Sequence, residues 1–590
     1  MESYTSLDTA IRPKQTNYLC EIKKTHVWLR GLLYSLILCT AFSLNGQQQL
    51  DSHFFHHHIG TQVSVSPYEY SIDILTSQRG IYLDHGSNDK IVNLYIDSEG
   101  YEYLIQKNIS FSWSPPIQAK IKMKGEEDIQ NLLKMDCKPV MDFYLTYEAY
   151  EEMMYGFEAM YPDICKIVEI ATLASGRKIL AAQIGDNIDE LENEPNFLYT
   201  SSMHGDELGG YPLMLMYIDL LLCNYGSDDR ITDLVNGINI YINPLANPDG
   251  TYKGGNSTVA DAIRFNDQFV DLNRNYLDPV VGENPDNRSY QEETIAFMDF
   301  AADRNIHLSC NIHGGTEVCN YPWDAFEQVH ADDDWWMGVM RDYADTVQHV
   351  APQGYLSAFD NGITNGFQWY VVEGGRQDYM TYFQRGREFT LEISDRKLPD
   401  ASDIPDLWTY NKASFLNYME EASYGLRGVI TDCVTGEPIV AEISIPDHDN
   451  NNSSVFSSED NGAYFRYLAE GTYDVVITAI GYDTVMTKIT IIDKSTVIFD
   501  SQLCPELSST TEQNIFTDIN IYTKENIILF EGTQLPINTE ASLYNSSGQL
   551  LYKSPIIDKS INVPTNIYRG IYILRLESDG QYYTQKLIYK

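Results

Sequence analysis

The hydrophobic pattern changes character four times along the chain. Residues 31–44 (GLLYSLILCTAFSL) form one nearly unbroken apolar run, preceded by Lys23, Lys24 and Arg30 and followed by Asn45, Gly46 and glutamines. Fourteen residues are too few to span a bilayer. A basic flank, a short apolar core and a small residue read as an export signal over residues 1–46, cleaved near Gly46. Cys39 lacks a preceding small residue of the kind a lipidation signal carries, so no lipid anchor is expected. From 47 to 138 the pattern gives short β-like runs at 62–66, 70–75 and 91–96 and a helix near 127–135.

Between 139 and 424 apolar strands alternate with amphipathic helices. Tyr150, Met153, Met154, Phe157 and Tyr161 share one helical face that Pro162 closes. Residues 197–201, 238–242, 306–312 and 389–393 read as buried strands and 211–222 as a helix, while Ser289 with Glu292 offers a capping box for a helix running to Ala302. This order predicts an α/β fold, a mixed sheet with helices on both faces. After Gly425 the helical period disappears. Short alternating strands with Gly, Asp and Asn turns fill 425–504 and 514–590, two all-β sandwich modules joined by a polar linker at 505–513.

Composition narrows the function classes. With 43% hydrophobic and 21% charged residues, the chain has ample material for folded cores. Its net charge of −44 repels nucleic-acid phosphates and anionic lipids, so neither is an expected partner, and cationic ligands are favoured. Seven cysteines follow the signal, without a CxxC pair. A cysteine-based zinc site is therefore not expected. Export permits disulfides, and an odd count leaves one thiol over. The cluster His53, His56, His57 and His58 has no carboxylate or thiol at ligand spacing and is assigned no metal.

The chemistry concentrates after the strand at 197–201. His204 and Glu207 follow its C-terminal end, where open α/β sheets place their ligands. One HxxE pair is a weak signal, and a third ligand is offered by His313, after the strand at 306–312. Two histidines and one carboxylate, with the fourth position left to water, suit a catalytic rather than a structural zinc. Three further segments belong with them. Arg264-Phe-Asn266 precedes Asp271-Leu-Asn273-Arg274-Asn275; the sequence from His313 runs on to Pro322-Trp323-Asp324; and the segment containing Tyr370, Gln377 and Asp378 leads to Phe389-Thr-Leu-Glu392.

With these motifs in this order, residues 144–418 resemble the zinc metallocarboxypeptidases, and among them the regulatory branch that includes carboxypeptidases D, E and N. The resemblance implies the carboxypeptidase fold and one Zn2+ per chain held by His204, Glu207 and His313, with Asp271 orienting the first histidine. It implies Glu392 as general base toward the attacking water, Arg264 as stabiliser of the oxyanion, and Asn273, Arg274 and Tyr370 around the substrate's terminal carboxylate. Asp324 and Gln377 match the positions that bind a basic side chain, and Trp323, where that branch more often has Tyr, is expected to narrow the pocket. The implied partners are peptide or protein C-termini ending in Lys or Arg.

Residues 425–504 resemble the transthyretin-like β-sandwich that follows the catalytic domain in this branch. Residues 514–590, with Arg569-Gly-Ile-Tyr-Ile-Leu-Arg near the end, resemble the C-terminal sorting domain of the type IX secretion system. That likeness implies the export machinery as a partner and a secreted or cell-surface location without a transmembrane span. Residues 47–138 stand where carboxypeptidases often carry a prosegment. Two other readings stand beside the exopeptidase: a carboxypeptidase or amidase on cell-wall peptides, and a surface peptide-binding protein that has lost catalysis. The retained ligands and general base weigh against the latter.

Overall fold

The computed structural model describes residues 50–56, 60–84, 91–113, 119–135, 137, 140–506 and, with short breaks, 520–589. The export signal, His57, His58 and most of the 505–513 linker lie outside the described residues. The chain divides at Ile117 into two compact units. Among the described residues no helix is long and apolar enough to cross a membrane.

The first unit centres on the antiparallel pairing of Gly60–Val65 with Val92–Asp97, with Ile81–Leu83 on the other side. Alternate residues Val63, Val65, Leu94 and Ile96 fill its core. The expected strand at 70–75 is instead the short helix Ile72–Thr76. Ile72 and Leu75 are three residues apart, a helical spacing that places both against the core, and Thr76 Oγ1 donates back to the Ile72 carbonyl. The pattern also passed over the helix Ser98–Gln106, whose N-cap Asp97 accepts the Glu99 and Gly100 N–H groups.

The second unit is built on an eight-stranded mixed sheet. Its strands are β1 (Cys165–Thr172), β2 (Lys178–Ile184), β3 (Asn196–Ser201), β4 (Asn239–Asn243), β5 (Leu308–His313), β6 (Thr316–Tyr321), β7 (Ile363–Asn365) and β8 (Arg387–Ser394). The spatial order is β7-β6-β8-β5-β3-β4-β2-β1. The four central strands, β8, β5, β3 and β4, are mutually parallel, with antiparallel neighbours outside them.

Alternation sorts the central strands between two faces. Phe197, Tyr199, Ile240 and Ile242 face a core with the helices Tyr147–Met160, Gly210–Asn224, Asp333–Val350 and Ile404–Glu420, whereas Leu198 and Tyr241 face Glu292–Arg304 and Arg376–Tyr382. Helices thus cover both faces, as the pattern predicts for a largely parallel sheet. The Ser289 capping box does not form. The helix starts one residue after Gln291, whose N–H is held by Asn275 Oδ1, while Glu292 reaches Ala174 N–H instead of an N-cap amide.

Beyond Gly425 all described elements are β. In 425–503 two sheets enclose Leu426, Ile430, Ile443, Val475 and Ile477, and a second β assembly in 520–589 encloses Ile528, Leu543, Leu574 and Leu576. Cys433–Cys504 ties the first strand of the former to the end of its last, and Cys137–Cys223 ties the segment before the first catalytic helix to the end of Gly210–Asn224. Cys165, Cys310 and Cys319 remain as buried thiols, so three are left over among the described residues rather than one. They lie on sheet strands, where burial raises the pKa of each.

The 425–503 module is locked onto the sheet by buried charge. Arg466 donates from Nη1 and Nη2 to Asp332 Oδ2 (2.5 Å) and Oδ1 (2.9 Å), and Arg387, at the start of β8, donates to Asp332 Oδ2 at 2.8 Å. Asp449 and His448 complete the cluster. Burial alone would raise the pKa of Asp332; Arg466 and Arg387 reverse the effect and hold it well below the usual carboxylate range. Removing one partner from such a network leaves a buried charge under-compensated. Arg466→Leu is therefore expected to destabilise the second unit by about 3 kcal/mol, read as a lowered urea midpoint, with the loss larger than for Lys488→Leu at the exposed Asp474 pair.

Candidate metal centre and active site

The functional side chains gather at the C-terminal ends of the parallel strands. β3 ends at Ser201, and a tight turn through Ser202 (φ 61°) delivers His204 and Glu207 before the helix begins at Gly210. Gly205 is needed in this turn, because a Cβ there would lie 2.4 Å from the Gly250 carbonyl carbon. β5 ends in His313 itself. Glu392 on β8 is the register partner of His313, which brings the carboxylate beside the third ligand without a loop. The segment after β4 supplies Arg264 and Asp271, and Asp271 caps the short turn Leu272–Arg274 through the Asn273 N–H.

His204 Nε2 lies 3.0 Å from Asp271 Oδ1, so its proton belongs to that hydrogen bond and Nδ1 carries the lone pair. That Nδ1 lies 2.9 Å from Glu207 Oε2 and 3.1 Å from His313 Nδ1, and His313 Nδ1 lies 2.8 Å from Glu207 Oε2. Asn311 Nδ2 is 2.8 Å from His313 Nε2. Ligation through Nδ1 calls for the amide oxygen at that place, accepting the Nε2 proton, and Thr200 Oγ1, 3.0 Å from the other end of the amide, can take its NH2 group. Two imidazole lone pairs and a carboxylate oxygen converging in a buried space repel one another unless a cation stands between them. Two histidine nitrogens and a carboxylate oxygen, 2.8–3.1 Å apart and able to meet one ion, are donor types that zinc takes. The donor set therefore fits zinc.

Arg264 is buried beside this centre, with Nε donating to Asp271 Oδ2 at 3.0 Å and Nη1 to Glu207 Oε1 at 3.1 Å. Asp271 is held well below the ordinary carboxylate range: burial, the largest influence, works against this, but Arg264 and His204 outweigh it together. Asn273 Oδ1 accepts the Arg376 N–H, and Arg274 Nη1 donates to the Asn273 carbonyl. Tyr370 follows the short helix Gly366–Trp369, its ring edge-on to Trp369 at 4.8 Å. Burial lifts its phenol pKa, while the charges of Arg274, Glu392, Arg264 and Asp324 all act on it.

Asp324 follows β6 and is buried. Its Oδ1 accepts from Asn320 Nδ2 and Gln377 Nε2, each at 3.0 Å. Burial pushes its pKa up to about 6, opposed by Asn320 and Arg274. Trp323 is the residue expected to narrow the pocket. Its indole is wholly buried and packs against Phe326, His330 and Tyr382. Sequence reasoning assigned no role to three neighbours of this site. Asp378 accepts the Asp324 and Ala325 N–H groups; Asn320 holds the carboxylate; and Lys397 Nζ lies 3.7 Å from Glu207 Oε1. Asp378 adjoins Gln377 and Lys397 follows Glu392 by five residues, so proximity to marked positions was the available signal.

Two other groups of candidate ligands occur among the described residues. Asp332, His448 and Asp449 already pair with Arg387 and Arg466, and Asp186, Glu192 and Glu194 form a partly exposed acidic group without a nitrogen ligand. Among the described residues only the His204 group combines two histidines with a carboxylate in full burial.

The family model of zinc carboxypeptidases (Peptidase_M14) matches residues 150–414. Carboxypeptidase M of Mus musculus is 32% identical over 378 residues, covering 60% of this chain and 82% of that protein. The chain belongs to the zinc carboxypeptidase family. Carboxypeptidase D of Mus musculus is 33% identical over 362 residues, 58% of this chain, and the match spans about a quarter (25%) of that relative's length. A crystal structure of carboxypeptidase A from Helicoverpa armigera aligns with a TM-score of 0.48 at 17% identity, covering 62% of this chain and 98% of that one.

Asp271→Asn keeps the size of the side chain and removes the charge that holds the His204 proton. Zinc affinity is expected to fall by about 10–100-fold, measured by competition with a chromophoric chelator.

Proposed function

We propose that the chain is a zinc carboxypeptidase that hydrolyses the last peptide bond of its substrates and releases a basic residue. The observation that carries the reading is the register pairing of His313 with Glu392 beside the His204–Glu207 ligand pair. This pairing sets a carboxylate base next to a metal centre that fits zinc. His204, Glu207 and His313 would hold the zinc, which would supply an acidified water and polarise the substrate carbonyl. Glu392 takes the proton of the attacking water and returns it to the departing amine. Arg264 presents its guanidinium to the oxygen on which negative charge grows, an interaction worth several kcal/mol in a dry site. Asn273 and Arg274 hold the terminal carboxylate, Arg274 by a planar fork of donors, and Tyr370 closes over it.

Asp324, with Gln377, forms the base of the side-chain pocket and receives the Lys or Arg of the substrate. A buried carboxylate penalises an apolar side chain that leaves it unpaired. Residues 425–504 act as a transthyretin-like support of the catalytic domain, with Arg466 as its contact to Asp332. Residues 514–590 act as a type IX sorting domain, residues 1–46 as a signal peptide and residues 47–138 as a prosegment, which gives a secreted or cell-surface enzyme.

Matched peptides ending in Arg, Phe and Glu, given to wild type and Glu392→Gln with and without chelator, test the reading. Release of Arg, abolished by the variant and by the chelator, is the expected result. Preferential release of Phe or Glu would overturn the basic pocket, and activity that survives chelation would overturn the zinc mechanism. The raised pKa of Asp324 adds a pH signature. Below about 6 its carboxyl becomes neutral, so KM for Arg-ended peptides is expected to rise as pH falls through that value, while KM for Phe-ended peptides does not follow the same curve.

A further inference from the structure

The parallel strands that carry the catalytic groups align their side chains in rows. The register of β3, β5 and β8 sets Ser309 beside Leu198 and Glu388, Asn311 beside Thr200 and Thr390, and His313 beside Glu392. Register partners point to one face of a sheet, and alternate residues along a strand share that face. Behind the His313–Glu392 row there are therefore two further rows, which hold Thr200, Asn311 and Thr390, then Ser309 and Glu388, all buried. A sheet face covered by helices is ordinarily apolar, and buried polar groups on it require partners.

One side chain meets both rows. Arg376, which opens the helix Arg376–Tyr382, is 1% exposed. Its Nη1 donates to Thr200 Oγ1 at 2.6 Å in the nearer row. Its Nη2 donates to Glu388 Oε2 at 2.8 Å in the farther row, where Ser309 Oγ also donates at 2.7 Å. Thr200 Oγ1 lies 3.0 Å from one end of the Asn311 amide, and the other end lies 2.8 Å from His313 Nε2. A continuous buried path thus runs from Arg376 through Thr200 and Asn311 to the His313 nitrogen that faces away from the other ligands. The Glu388 end of the guanidinium grips the strand that carries Glu392.

We propose that Arg376 is a positioning residue for the metal centre, a role that rests on His204, Glu207 and His313 being the zinc ligands. A buried guanidinium–carboxylate pair gains little stability over an apolar replacement of similar volume, so stability by itself does not account for the pair. A planar fork of donors can meet acceptors on two strands at once, and here it ties β3 to β8 across β5. Holding Thr200 holds Asn311, and an amide fixed at Nε2 fixes the plane of the His313 ring with Nδ1 turned to the metal. The contact of Arg376 with Asn273 Oδ1 is made by its main-chain N–H. Replacing the side chain therefore leaves the terminal-carboxylate residues in place.

The test compares the full chain with variants in zinc affinity, by competition with a chromophoric chelator, in urea midpoint, and in kcat and KM at saturating zinc. Arg376→Met should lower zinc affinity by about tenfold, the low end for partners of metal ligands, and kcat by a similar factor, with KM held within about twofold. Thr200→Val removes one hydroxyl from the path and should reproduce the loss of affinity. Arg376→Lys keeps a charge for Glu388, but a compact ammonium does not span both rows, so it should recover the urea midpoint further than zinc affinity. Arg466→Leu weakens the same unit at the Asp332 contact and should keep wild-type affinity. Unchanged affinity in Arg376→Met and Thr200→Val, or an equal loss in Arg466→Leu, would overturn the positioning role while leaving the metal centre standing. A wild type that binds no zinc would overturn the metal centre itself. If Arg376→Met fails to fold, Thr200→Val and Arg376→Lys decide the matter.

Discussion

Everything in the active region follows from forcing three electron pairs into one buried space. His204 Nδ1, His313 Nδ1 and Glu207 Oε2 lie within 3.1 Å of one another, an arrangement that is repulsive by itself and favourable around a divalent cation. The surrounding residues sustain it. Asp271 takes the far proton of His204, Arg264 neutralises both Asp271 and Glu207, and the parallel pairing of β5 with β8 holds His313 against Glu392. Family membership adds zinc as the cation for which such a set is used.

The sheet supplies rigidity to this arrangement because its ligands sit at strand ends rather than on long loops. The strand that carries Glu392 begins at Arg387, one of two arginines on Asp332; the other, Arg466, comes from the β module. One buried carboxylate therefore ties the far end of the catalytic strand to the module behind it. Such a cluster is costly to desolvate and adds little net stability compared with an apolar replacement, but breaking it is expensive. This asymmetry favours a fixed relation between the two parts of the second unit.

The surroundings of Asp324 are built on different terms. Beside the His204 group the carboxylates of Glu207 and Asp271 meet the Arg264 guanidinium, whereas Asn320 Oδ1 and Gln377 Oε1 near Asp324 are buried acceptors without a hydrogen bond. Burial raises the pKa of the Tyr370 phenol, and the charges of Arg274, Glu392, Arg264 and Asp324 all act on it.

Periodicity within a few residues was legible in the chain itself. The central strands, the helix ending before Pro162 and the all-β character after Gly425 follow from alternation and helical spacing, which depend on local geometry. The ligands were legible as motifs, because HxxE places two donors from one turn and His313 ends an apolar strand. Tertiary structure decided what depends on distant partners. The expected strand at 70–75 gave way to the helix Ile72–Thr76, Ser289 lost its cap to the Asn275–Gln291 contact, and three thiols rather than one stayed unpaired among the described residues. Asn320, Asp378 and Lys397 gained their places only once β6, the helix Arg376–Tyr382 and the segment after β8 were folded together. The sequence determined which residues can bind a metal and move a proton, since that is a property of side-chain chemistry. The fold alone decided which of their atoms face one another, since hydrogen bonding and burial are relations between segments far apart in the chain.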